Sequence, residues 1–133
     1  MQLLKQWAIA LGFSAEPAIQ GVWERTGDHF AGCRIEIRPD KSQWRGTLIR
    51  ILEKMEKFGW RTGDEKWVDI ERRAVGRYTL RDLYKVLNTD TGKVSEFYKE
   101  TLLDFISDDE ISVSPVLKED QPRVQTWRRI DNP

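Results

Sequence analysis

Gly21-Val22-Trp23-Glu24-Arg25-Thr26, read with Trp127-Arg128-Arg129 near the other end of the chain, decides the fold. From Gln20 onward the apolar residues recur every second position, the period of a strand with one buried face. Cys33, Ile35 and Ile37 alternate with Arg34, Glu36 and Arg38, so the second strand has one wet face and one dry one. Turn signals separate the runs: Gly27-Asp28 to Gly32, then Pro39-Asp40-Lys41-Ser42. Trp44 to Leu52 is the third strand, and its alternation breaks near Gly46, where a bulge or sharp bend suits a closing barrel.

The same grammar runs to the end of the chain. Glu53 to Lys57 is a polar connection with Met55 inside it. Phe58 and Trp60, two apart, predict a short strand, and Thr62-Gly63-Asp64-Glu65 a tight loop. Trp67 to Arg73 is a strand with Val68 and Ile70 on one face and Trp67, Asp69 and Glu71 on the other. Gly76 breaks the run, Tyr78 to Leu87 follows, and Asn88-Thr89-Asp90-Thr91-Gly92 is a turn before the long strand from Val94 to Ile106. After the turn Ser107 to Glu110, Ile111 and Val113 alternate with serines, and Val124 to Ile130 is the last strand.

One segment supports two readings. Thr79-Leu80-Arg81-Asp82 resembles a helix capping box, and Leu80, Leu83, Tyr84 and Leu87 then share a helical face. A strand is preferred because it pairs directly with Val94 onward through the Asn88 to Gly92 turn. The total is about eight antiparallel strands on short loops, and a meander that long must close or cover its edges. An all-β, antiparallel up-and-down barrel is the simplest solution, and one of about eight strands is filled by side chains or holds one small ligand.

Ahead of it, Leu3, Leu4, Trp7, Ala8 and Leu11 form one apolar stripe, predicting an N-terminal amphipathic helix over Leu3 to Phe13. The expected organisation is a helix and linker over residues 1–19 and a barrel domain over residues 20–133. The helix is a candidate partner-binding element through Leu4, Trp7 and Leu11.

Gly21-Val22-Trp23, answered by Trp127 and Arg129 on the last strand, resembles the signature of lipocalin-like (calycin) barrels. The resemblance implies that Trp23 sits at the closed end of the barrel and that an arginine of the last strand packs over it. Arg129 is the candidate because it shares a face with Trp127; Arg128 is the other. A ring under a desolvated guanidinium gains about 1–2 kcal/mol. The resemblance spans residues 20–130 in strand number and order. The first loop is shorter than the lid of secreted lipocalins, and their disulfides and late helix are not evident. The chain therefore looks similar to the compact, intracellular members, whose roles run from ligand carriage to accessory functions.

Composition narrows the function. The 133 residues carry 22 basic and 22 acidic side chains, and this balance argues against a dedicated nucleic-acid binder. A single cysteine excludes a disulfide framework and a cysteine zinc cluster, and fits a cytoplasmic protein. No stretch approaches the roughly 20 apolar residues of a membrane span. His29, the one histidine, reads as a solvated loop residue with no second ligand to complete a metal set. Cys33 reads as a small buried hydrophobe, and as a nucleophile only with His29 as its base. Asp108-Asp109-Glu110 is a turn without the calcium-loop pattern. No catalytic motif, metal or cofactor is expected.

The chain has six tryptophans. Core packing is the first account of Trp44, Trp60 and Trp67; an aromatic pocket that adds Phe58 and Tyr78 is the second. Arg45, Arg50, Arg61, Arg72 and Arg73 run close to these rings, which also suits single-stranded nucleic acid. The leading expectation is a non-enzymatic interaction or assembly module, with a protein partner or self-association. A carrier of a small hydrophobic or planar ligand comes second, and a nucleic-acid or nucleotide binder third.

Overall fold

A computed structural model describes residues 16–117 and 123–130. Eight strands follow one another: β1 Gly21–Thr26, β2 Arg34–Asp40, β3 Gln43–Arg50, β4 Glu65–Ala74, β5 Arg77–Leu87, β6 Val94–Ser107, β7 Glu110–Pro115 and β8 Gln125–Ile130. Each pairs antiparallel with the next, and β8 returns to pair with β1, so the barrel is closed and the sheet has no free edge. The expected all-β meander is the observed architecture. The helix predicted over Leu3 to Phe13, with Leu4, Trp7 and Leu11, lies outside the described residues.

Local chemistry explains the connections. β2 and β3 are joined by Lys41 and Ser42 alone, Asp40 facing Gln43, with Lys41 in the left-handed region at φ 57°. The Asn88 side-chain oxygen accepts the N–H groups of Asp90 (2.9 Å) and Thr91 (3.3 Å), which fixes the β5–β6 turn. The ambiguous segment is a strand: β5 stays in register with β6 from Arg77 opposite Asp104 to Leu87 opposite Val94. Asp82 at an inward position of β5 is matched by a lysine rather than by a helix cap.

Gly46 is where the barrel bends. Pairing with β4 slips on both sides of it, and a Cβ there would stand 2.9 Å from Ile35 and 3.2 Å from Trp67. Two expectations are corrected. Phe58 and Trp60 are not on a strand; they follow α1, the single helical turn Glu53–Glu56, whose Met55 is buried. Trp67 does not share one face with Asp69 and Glu71. Asp69 takes φ 53°, the pairing with β5 slips between Val68 and Glu71, and Trp67 and Ile70 both turn into the core. A bulge changes the period from two to three across one residue, which alternation alone does not anticipate.

The two ends of the barrel differ. At the base, where β1 begins, residues 16–20 run from β1 to an ion pair between Glu16 and Arg72 on β4, crossing the barrel's end with Ile19 buried. Trp23, Phe105, Tyr78 and Trp44 pack above this strap: Trp23 meets Phe105 edge-on at 5.7 Å, and Trp44 meets Tyr78 at 5.8 Å. The middle layer is solid with Trp67, Trp127, Ile35, Leu48, Leu103 and Ile111, all fully buried. Cavity space lies at the other end, the mouth.

Candidate functional site

A cavity of about 560 Å³ opens at the mouth, within the size range of small-molecule sites. Phe30, Phe58, Trp60 and Tyr84 supply its aromatic wall. Two short local structures hold these rings. In the first loop, Asp28 accepts the Phe30 N–H (3.1 Å) on one carboxylate oxygen and the Arg25 Nε–H (2.8 Å) on the other. This sets the Arg25 guanidinium over the Phe30 ring at 5.4 Å. After α1, the Met55 carbonyl accepts from the N–H groups of Phe58 (3.1 Å) and Trp60 (3.4 Å), and Gly59 takes φ 90° between them. Phe58 then meets Phe30 edge-on at 6.0 Å.

The floor is polar and buried. Lys66 on β4 donates to Asp82 on β5 at 2.6 Å and to the Leu83 carbonyl at 3.2 Å. Both side chains are withdrawn from solvent, 4% and 0% exposed, so this is an interior ion pair. Gln125 on β8 donates to the second Asp82 oxygen at 3.4 Å and accepts from Trp127 Nε1 at 3.2 Å. The Lys66 ammonium also stands 5.0 Å from the Trp60 ring and 5.7 Å from that of Tyr84. Beside it, Lys85 binds Asp64 (3.0 Å), Glu96 (2.8 Å) and the Gly59 carbonyl (2.9 Å). Burial opposes the charge on Lys85, but its hydrogen bonds to Glu96 and Asp64 outweigh it and raise the ammonium's pKa.

The predicted site residues fall in three places. Phe58 and Trp60 line the mouth cavity. Trp44 and Tyr78 belong to the base packing, and Trp67 lies in the middle layer, 5.0 Å from Trp127 and edge-on to it. Three of the four signature residues, Gly21, Trp23 and Arg129, come together at the base, while Trp127 lies in the middle layer against Trp67. The Arg129 guanidinium lies 4.3 Å above the Trp23 ring and donates to the carbonyls of Ala18, Gln20 and Asp108. Trp23 Nε1 donates to Ile19 O at 3.0 Å. Gly21 has φ 140°, and a Cβ there would stand 3.0 Å from the Arg129 guanidinium, so this position needs glycine. Arg128 points the other way, to Glu24 on the outer surface (3.0 Å).

His29 lines the mouth beside Phe30. Cys33 is fully buried, and burial pushes its thiol up to about 11, which makes it a poor nucleophile. Among the described residues no cluster of three His, Cys, Asp or Glu is placed to hold a metal ion, and no helix is long and apolar enough to cross a membrane.

Sequence reasoning missed Arg25, Lys66, Asp82, Tyr84 and Gln125. A signal was present: Tyr78, Leu80, Asp82 and Tyr84 form one alternating set, and a carboxylate in such a set calls for a cation across the sheet. Lys66 supplies it, within the break in β3–β4 pairing between Glu65 and Trp67 that obscures its direction.

Comparison of the chain with protein-family models, with curated proteins and with solved structures gives no match.

Proposed function

We propose that this protein is a non-enzymatic carrier or sensor of a small apolar or planar ligand, held at the mouth of the barrel. The observation that carries this reading is the asymmetry of the interior. The base and middle are packed solid, while the mouth keeps about 560 Å³ walled by Phe30, Phe58, Trp60 and Tyr84. Four rings of that size, around a space fit for a molecule of two or three fused rings, favour stacking on a flat body. The resemblance of Gly21, Trp23 and Arg129 to the lipocalin-like signature supports the same reading, since it belongs to a class of barrels that includes ligand carriers.

The test is intrinsic Trp fluorescence, titrated with fatty acids, haem and polycyclic aromatic compounds. Trp60 lines the cavity, so an occupant quenches it. Saturable one-to-one quenching, abolished by Phe58→Ala in a protein with an unchanged circular dichroism spectrum, is the expected result. Failure of every compound to quench would refute the carrier reading.

A second reading, an interaction module, is favoured by the apolar rim. Val86 and Phe97 on the projecting β5–β6 hairpin are 50% and 42% exposed, and Leu117 beside the mouth is 80% exposed. Such residues suit a protein partner or self-association. Sedimentation over a hundredfold concentration range, with Phe97→Glu as the control, tests self-association.

A further inference from the structure

The mouth cavity is an unusual place for charge. Among the described residues, those around the cavity include Arg25, Lys66, Lys85 and Arg123; Arg25 pairs with Asp28, Lys66 with Asp82, and Lys85 with Asp64 and Glu96. Arg25 and Arg123 stand towards the rim, and Lys85, though withdrawn from solvent, gives its three donors to Asp64, Glu96 and the Gly59 carbonyl. Lys66 is different: it is nine-tenths buried, on the inner face, at the floor where the aromatic wall ends.

Its bonding leaves a role open. An ammonium has three N–H donors, and the bonds to Asp82 and the Leu83 carbonyl use two. Its remaining neighbours are the faces of Trp60 and Tyr84, both of which line the cavity. A buried ion pair in a barrel that is otherwise apolar gives little net stability, since desolvation offsets the attraction. The floor also adjoins an unsatisfied donor. Trp67 sits directly across from Asp82 in the sheet, and its indole N–H is buried with no hydrogen-bond partner among the described residues. Trp67 does not line the cavity, so the spare donor that faces it from this layer is the third N–H of Lys66.

From this geometry we infer that the ligand is a planar organic acid. Its conjugated body lies against Trp60, Phe30 and Phe58, and its carboxylate reaches down to Lys66, which shares its charge between that carboxylate and Asp82. The inference rests on the carrier reading and adds the chemical class of the ligand. An anionic head at Lys66 makes a charge-assisted hydrogen bond in a site shielded from water, where such bonds are strongest. Asp82 then acts as a built-in competitor: it holds Lys66 in place when the cavity is empty and limits how tightly any acid binds.

Anthracene-9-carboxylate and its methyl ester are matched probes, alike in ring system and different in charge. The folded protein is expected to bind the acid about tenfold or more tightly than the ester. That preference should survive about 0.5 M NaCl, because salt screens rim cations and not a buried ammonium. Two variants move it in opposite directions. The double variant Lys66→Met with Asp82→Leu removes both charges together, avoiding a stranded one; it should bind the ester as before and lose the preference for the acid. Asp82→Asn frees Lys66 from its competitor and should tighten the acid several-fold while leaving the ester unchanged. Equal binding of acid and ester by the unaltered protein overturns the inference and leaves the carrier reading standing. Loss of the preference in salt overturns the assignment to Lys66 by moving the anion to the rim. Binding of neither probe overturns the inference, and overturns the carrier reading as well only where the fatty acids and haem also fail to quench Trp60. The comparison in the unaltered protein and its salt dependence need no variant, so a folding failure in either mutant does not rescue the idea.

Discussion

The base and the mouth are built from the same residue types put to opposite uses. At the base, Arg129 lies over Trp23 and spends its donors on three main-chain carbonyls, so the cation seals the end. At the mouth, Arg25 lies over Phe30 and Lys66 lies beside Trp60, but around a cavity that remains. The difference is in what covers the rings. A strap of chain crosses the base and shuts it, whereas the mouth is framed by a seven-residue loop between β1 and β2 and a single turn of helix. Cation–aromatic contacts therefore make a plug where the backbone closes over them, and a lining where it does not.

The contrast predicts that truncations at the base cost stability and truncations at the mouth cost binding. Trp23→Ala removes a fully buried ring and strands the Ile19 carbonyl, and should destabilise by about 3–5 kcal/mol. Phe58→Ala, which trims a partly buried ring at the mouth, should cost about 1 kcal/mol. Urea unfolding of the two variants checks this; equal losses would break the distinction between plug and lining.

The buried pair sharpens it from the other side. Lys66→Met alone leaves Asp82 charged and unpaired, at a cost of about 3–5 kcal/mol, whereas adding Asp82→Leu should recover most of that loss. A double variant as unstable as the single would mean that the pair stabilises the barrel in its own right and is not there for the cavity. Arg129→Met is expected to cost about 2 kcal/mol, from the lost ring contact and the stranded carbonyls. Arg129→Lys should restore little of it, because an ammonium cannot span the same three acceptors while covering the ring.

How far the sequence reveals this molecule follows the same division. The base is legible. Gly21, Trp23 and Arg129 are specified by backbone and packing demands that leave few alternatives, and each demand shows in residue type. The strands are legible too, because Ile35 and Ile37 alternate with charged residues and Asn88 to Gly92 can hardly be anything but a turn. The mouth is not, for two physical reasons. Lys66 and Asp82 read as surface residues when taken singly, and only their pairing across β4 and β5 keeps them inside. The bulge at Asp69 puts Trp67 on the same face as Ile70, so a pattern counted through it wrongly groups the ring with Asp69 and Glu71. Phe58 and Trp60 were visible as rings, but their two-residue spacing suggests a strand where a helical turn and Gly59 present them instead.

The outer seam supplies the control for these comparisons. Glu24 faces solvent on β1, directly opposite Arg34 on β2 and Arg128 on β8, and accepts from each at 3.0 Å. It ties together the three strands at which the barrel closes, from the side away from the cavity. Burial pushes its carboxyl up, but the hydrogen bonds from Arg34 and Arg128 outweigh it and hold it below the usual range. A carboxyl whose pKa is lowered by folding contributes stability above its unfolded pKa and loses that contribution as pH falls through the folded value. Glu24→Gln should therefore cost about 1 kcal/mol at neutral pH, with the gap to the unaltered protein narrowing as pH falls below the ordinary carboxyl range and closing once pH is below the lowered folded value. The same variant should leave ligand affinity at the mouth untouched, because nothing it contacts lines the cavity. Chemical unfolding at several pH values measures the first effect and a fluorescence titration the second. If Glu24→Gln weakens binding as well, the cavity depends on how tightly the seam closes, and mouth and barrel wall are one mechanical unit rather than two.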